Sequence, residues 1–263
     1  MGDLLVLASD SRGVYTLTIR RPEVRNALNS QAFREMVAAC DAVAADPAAR
    51  ALVVAGEGKA FSTGGDFETL RELLDGDRDH AVAELRNANT GILALAGLSV
   101  PTVAALHGDA YGGGAAVALS TDFRIMAHGA RLGFVFSRLG LSGADTGATW
   151  WLSRLVGVPR AMEILSLGHV FDAGEALEAG LVNEVVDADG FDAAVNAFGD
   201  RLAGLAPGAV RGTKRALAGI EGRSLEEQLD LEADIQADAI TSADFREGLE
   251  AFQARRPPRF KGI

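Results

Sequence analysis

The chain has 263 residues, 48% of them hydrophobic, enough apolar material for one sizeable core. Its formal net charge of −11, with no basic run to offset it, argues against a nucleic-acid partner. No apolar stretch approaches the length of a membrane span, and the one cysteine, Cys40, cannot form an internal disulfide, so a reducing, cytoplasmic setting is expected.

Residues 1–10 lack a basic start and read as a strand, not a signal peptide. Strands are expected at 4–8 and 14–19, where Tyr15, Leu17 and Ile19 alternate with Thr16 and Thr18. Ser30 is positioned to cap a helix through Ala45, ended by Asp46-Pro47. Cys40 lies on its apolar side with Phe33, Met36 and Val37, which predicts a buried core thiol. A short buried strand at 51–55 runs through Gly56-Glu-Gly58 into the turn Lys59-Ala-Phe-Ser-Thr-Gly-Gly-Asp66, then a helix at 67–74. Residues 78–96 form a long helix. A strand at 102–106 leads through Gly108-Asp-Ala-Tyr111 to Gly112-Gly113-Gly114 and a helix at 115–121, followed by a strand at 123–127. This strand-then-helix recurrence predicts an α/β spiral over residues 1–189. After Asp189 come four helical stretches, 191–205, 209–218, 224–240 and 243–254, so residues 190–263 read as a helical region.

The two strand-to-glycine-to-helix junctions carry the chemistry. Glycines at a helix start leave backbone N–H groups uncovered, with the positive end of the helix dipole behind them. Such a place suits an anion or a developing oxyanion; the plainer alternative is a tight turn that needs small residues for packing. Two such turns converging on one oxygen would polarise a thioester carbonyl. The triplet lacks the Gly-x-Gly-x-x-Gly and Gly-Lys-Ser/Thr spacings of nucleotide-binding loops.

Several stretches together resemble the crotonase, or enoyl-CoA hydratase/isomerase, superfamily. They are Arg20-Arg-Pro-Glu-Val-Arg-Asn-Ala-Leu-Asn29, the turn 59–66, residues 101–114, Asp122-Phe-Arg-Ile125, Leu152-Ser-Arg-Leu-Val-Gly157, the segment 173–183 and the segment 252–260, in the family's order. The resemblance implies a ββα spiral core with a C-terminal helical oligomerisation region, assembled as a trimer or dimer of trimers. It also implies an acyl-CoA thioester substrate, with coenzyme A as part of that substrate, no tightly bound cofactor and no metal. By the same resemblance the oxyanion N–H groups fall to Gly65 and Gly113. Arg25, Ala27, Ala60, Ser62 and Gly64 match the coenzyme A path, and Phe67, Tyr111, Phe136 and Trp150 border the acyl pocket. Arg256, Arg259 and Lys261 match a tail that can reach a neighbouring subunit's nucleotide; a solvated surface charge is the alternative for each basic residue.

The acids depart from the pattern. Where hydratases carry two glutamates, this chain has Ala116 and Phe136, neither of which moves a proton. One carboxylate remains: Asp145, nine residues before Arg154, the spacing found in dienoyl-CoA isomerases and 4-chlorobenzoyl-CoA dehalogenases, although this loop is one residue longer. Asp145 is expected either to serve the reaction, its pKa adjusted by apolar neighbours, or to cap the next helix. His107 and Asp66 are expected to be structural, Asp66 as a helix cap. The resulting expectation is an acyl-CoA enzyme with isomerase, hydrolase or lyase chemistry in place of efficient hydration, or else a silent acyl-CoA-binding homologue.

Overall fold

The computed structural model describes residues 4–262. β1 (Leu5–Ser9) and β2 (Val14–Ile19) form an antiparallel hairpin with Leu7 opposite Leu17. α1 (Ser30–Ala45) buries Ala32, Phe33, Met36, Ala39, Cys40 and Val43, a stripe at helical spacing. Its cap is Asn29, whose Oδ1 accepts the Ala32 N–H at 2.9 Å. Ser30, expected there, is the first helical residue and turns its hydroxyl to Glu84. Asn and Ser cap about equally well, so residue type alone does not separate the two positions.

The spiral follows as strand pairs. β3 (Ala51–Gly56) is paired in sequence with β4 (Ala60–Ser62), and α2 (Phe67–Asp75) and α3 (Arg78–Ala96) follow. β5 (Thr102–Leu106) and β6 (Asp109–Tyr111) precede α4 (Gly113–Leu119). β7 (Phe123–Ala127) and β8 (Leu132–Gly133) precede α5 (Ala148–Val156) and α6 (Val158–Leu167). β9 (Val170–Phe171), α7 (Ala173–Glu178) and β10 (Glu184–Val186) complete the set. β3, β5 and β7 join the hairpin and β10 in a six-stranded sheet ordered β1-β2-β3-β5-β7-β10, and β4, β6 and β8 join β9 in a four-stranded sheet ordered β4-β6-β8-β9. The pairs β2–β3, β3–β5, β5–β7 and β4–β6–β8 are parallel. The turns read at 59–66 and 108–111 therefore each contain a strand, β4 and β6. Strands this short have no period to detect in sequence.

The remaining helices are α8 (Phe191–Ala203), α9 (Pro207–Leu217), α10 (Leu225–Thr241) and α11 (Ala243–Gln253). α8 lies on the large sheet, burying Phe191, Val195 and Leu202, with Phe198 edge-on to Phe123 at 5.1 Å. α9 is clamped to the core by Lys214, whose Nζ donates to the Asp122 carboxylate at 2.6 Å and to the Val100 carbonyl at 3.1 Å. Arg124 is buried between strand and helix. Its Nε donates to Leu181 O and its Nη1 to Thr121 O, each at 2.6 Å, and burial lowers the guanidinium to about 10. Burial also pushes the Cys40 thiol up to about 12, so it is an inert core group.

Candidate functional site

The first glycine turn is fixed by side chains around it. Arg25 and Asn26 both take left-handed backbone, with φ of 53° and 59°. Asn26 is fully buried and joins three segments: its Oδ1 accepts the Arg21 N–H at 2.9 Å, and its Nδ2 donates to Glu57 O at 2.8 Å and Ala60 O at 2.7 Å. Ser62 Oγ donates to Asn26 O at 2.8 Å and accepts from Gly64 N at 3.2 Å. Gly64 turns at φ +91°, a conformation that favours glycine. A one-residue parallel bridge then pairs Leu28 with Gly65: Leu28 N donates to Gly64 O at 2.7 Å and Asp66 N to Leu28 O at 3.0 Å. The bridge uses the groups on either side of Gly65 and leaves its own N–H unengaged. Asp66 does cap α2, accepting from Glu68 N at 2.8 Å, and it pairs with Arg21 at 2.7 Å. Burial alone would raise the Asp66 carboxyl, but Arg21 and the α2 N–H groups hold it below its usual value.

The second turn meets the first backbone to backbone. Gly112, at φ +52°, donates its N–H to Gly133 O at 2.9 Å, and α4 begins at Gly113 with every residue buried. A Cβ on Gly64 would stand 2.7 Å from Tyr111 O and 3.0 Å from Gly113 N. One on Gly114 would stand 2.4 Å from Ser62 O, so this junction closes only around glycine. One on Gly113 would lie 3.9 Å from Gly65 N. Among the described residues nothing accepts from the N–H of Gly65 or Gly113. Two free donors thus adjoin, Gly65 exposed and Gly113 buried, as an oxyanion-binding pair requires.

The segment before α5 forms the wall of this junction. Asp145 is half-buried; burial raises its carboxyl above the usual range, the Thr146 N–H partly opposing. It does not cap α5 with its side chain. The cap residue is Gly147, without a side-chain hydrogen bond, and Asp145 contributes its carbonyl to the Ala148 N–H at 2.8 Å. Thr146 is 7% exposed with φ +45°, a left-handed conformation that costs a β-branched residue about 1–3 kcal/mol. Its Oγ1 lies 3.9 Å from the Cβ position of Gly113 and has no hydrogen-bond partner. Trp151 Nε1 is likewise buried and unpartnered. Phe136, 5% exposed, places its Cε1 3.7 Å from the Cβ position of Gly112. Sequence reasoning passed over Thr146 and Trp151; an ordinary threonine beside an aspartate carries no signal of burial.

The other sequence candidates divide by exposure. Ala27 and Ala60 are buried, Tyr111 is half-buried against Gly133, and Arg25 is exposed. Phe67 is 68% exposed at the start of α2. Trp150 is 54% exposed and faces outward under the Arg154 guanidinium, 3.2 Å from its ring centre, while Arg154 pairs with Glu221 at 2.8 Å. Ala116 is fully buried inside α4. His107 bonds Gly58 O at 3.1 Å, a structural contact. Arg256 pairs with Glu247 at 2.6 Å. Among the described residues no group of three or more His, Cys, Asp or Glu side chains could hold a metal ion.

The comparisons agree with this geometry. The pattern of the enoyl-CoA hydratase/isomerase family matches residues 9–263. The chain is similar to the 1,2-epoxyphenylacetyl-CoA isomerase of Escherichia coli, 35% identical over 98% of both chains. It is also similar to the trans-2-decenoyl-(acyl-carrier-protein) isomerase of Streptococcus mutans, 30% identical over 98% of both. The crystal structure of an enoyl-CoA hydratase from Bacillus anthracis superposes with a TM-score of 0.93, at 28% identity, covering 99% of this chain and all of that one. With the spiral of paired strands and the two meeting glycine turns in place, the chain belongs to the enoyl-CoA hydratase/isomerase family.

Proposed function

We propose that this protein binds an acyl-CoA thioester with its carbonyl oxygen at the N–H groups of Gly65 and Gly113, and that Asp145 moves the proton of an enolate-type isomerisation. The observation that carries the reading is the pair of adjoining free donors, walled by the segment that carries the half-buried Asp145 carboxyl. The donors stabilise negative charge as it develops on oxygen. A carboxylate with a raised pKa accepts a proton from one carbon and returns it to another more readily than an ordinary one. Isomerisation is favoured over hydration because hydration of an enoyl group needs two proton-transfer groups around a water. Ala116 and Phe136 stand where the resemblance expects those two groups, the glutamates of hydratases. Two relatives named as isomerases lend the same support.

Backbone around Ala27, Ala60, Ser62 and Gly64 would hold the coenzyme A arm, with Arg25 free to meet phosphate. Phe67, Tyr111 and Phe136 would border the acyl group, whereas Trp150, turned outward under Arg154, would not. A homotrimer or dimer of trimers is supported by exposed apolar side chains on the C-terminal helices, Phe245, Leu249 and Phe252 among them. These lie along a cavity of about 990 Å3 between α9, α10, α11 and the end of α3. Light scattering that reports a monomer at micromolar concentration overturns the assembly. A screen of acyl-CoA thioesters, aromatic and branched ones included, with mass detection of products, tests the activity. Binding without any turnover selects a silent acyl-CoA-binding homologue, and no binding at millimolar concentration removes the acyl-CoA reading altogether.

A further inference from the structure

Thr146 is a polar group that the apoprotein leaves unused. The residue is 7% exposed, its Oγ1 has no hydrogen-bond partner, and it faces the junction of the two glycine turns. A buried hydroxyl without a partner is a cost to the fold that a valine of the same shape would avoid. Its backbone is left-handed, which a β-branched residue rarely adopts. Strained backbone and an unmet hydroxyl at one residue, beside the free N–H pair of Gly65 and Gly113, mark a group held ready for something that enters.

From this we propose that Thr146 Oγ1 donates a hydrogen bond to an oxygen substituent on the acyl chain, and so selects oxygenated acyl thioesters over plain hydrocarbon ones. The inference rests on the acyl-CoA reading of the site. The thioester oxygen is already served by Gly65 and Gly113. The Thr146 hydroxyl, 3.9 Å from the Cβ position of Gly113 and next in sequence to Asp145, is placed for an acceptor on the carbons beside the carbonyl. A hydrocarbon chain there would seal the hydroxyl in a dry pocket with its hydrogen bond still unmade, and a site built to bond an oxygen rejects the analogue lacking it.

The test is calorimetric binding of butyryl-CoA, 2-hydroxybutyryl-CoA, 3-hydroxybutyryl-CoA and acetoacetyl-CoA to the wild type, Thr146→Val and Thr146→Ser, with a thermal melt of each. The wild type should prefer at least one oxygenated thioester by about tenfold or more, the scale of one hydrogen bond in a dry site. Thr146→Val should lose that preference while melting no lower than the wild type, since no internal bond is broken, and Thr146→Ser should keep it. Equal binding of all four thioesters by the wild type overturns the proposal without any variant. So does a preference that survives in Thr146→Val, or a marked fall in its melting temperature, which would reveal an internal partner. If the wild type binds none of the four, the acyl-CoA reading itself fails and this proposal falls with it.

Discussion

Gly113→Ala and Gly114→Ala differ by one position and should fail in opposite ways. A methyl on Gly114 would meet Ser62 O at 2.4 Å, where real contacts stop near 3.0 Å, and both sides of that contact are held by backbone. β4 and α4 must therefore part by roughly 0.6 Å at this point. Overpacking of this kind costs about 1–3 kcal/mol. At roughly 2–4 °C per kcal/mol for a domain of this size, the melting temperature should fall by about 5 °C. A methyl on Gly113 meets nothing closer than 3.8 Å, so the fold should tolerate it, and alanine in place of glycine adds about 0.4–1 kcal/mol through the unfolded chain. That same methyl would lie 3.9 Å from both Gly65 N and Thr146 Oγ1, crowding the free N–H pair. Loss of one oxyanion donor costs about 2.7–4 kcal/mol, or ~10²–10³ in kcat. Differential scanning fluorimetry and steady-state kinetics on the thioester found by the screen read the two effects separately. Wild-type kcat in Gly113→Ala would refute the oxyanion assignment. Wild-type melting of Gly114→Ala would refute the backbone contact.

Asp145→Asn should raise stability at neutral pH. The folded-state carboxyl is shifted above its ordinary 3.8, so as pH rises past that value the unfolded chain ionises first and folding is penalised; the gain of the variant should grow through that window and then level off. A melting difference that stays flat with pH contradicts this, and unchanged turnover in the variant would remove Asp145 from the chemistry. Arg21→Ala leaves Asp66 buried without its guanidinium partner and should cost about 3–5 kcal/mol at neutral pH. Because the Asp66 carboxyl lies below its ordinary value, the stability it supplies is present above that value and lost as pH falls through the folded one. Urea melts should accordingly show the Arg21→Ala penalty shrinking in acid. Hydration of crotonyl-CoA should be slow, each absent proton-transfer glutamate withholding ~10²–10⁴-fold; ordinary hydratase turnover would show that other groups take their place.

Long elements were legible because periodicity accumulates over many residues. The helix read at 78–96 matches α3 in full, and the strands read at 102–106 and 123–127 match β5 and β7. The small sheet was not legible, since β4 and β6 are three residues each and β8 two, embedded in what reads locally as turn. The two glycine turns could be read as candidates from their residues, but that they meet is a property of the sheet order. The two tryptophans show a subtler limit. Successive residues on a helix point about 100° apart, and nothing local says that Trp150 faces out under Arg154 while Trp151 packs inward. Thr146 is the furthest from sequence, because its significance lies in a hydroxyl that fails to find a partner, and absence of a partner exists only in three dimensions.

The single-residue bridge between Leu28 and Gly65 makes the site a matter of counting. Leu28 grips the carbonyl before Gly65 and the N–H after it, so the free donor's orientation follows from alternation along the chain, within a turn that the Asn26 and Ser62 side chains hold in place. Insertion or deletion of one residue in that segment would turn the donor to the opposite side of the pairing. The tolerance of this segment to change is thus set by length: it is an indexed part, in which a frame error of one residue is more damaging than most substitutions.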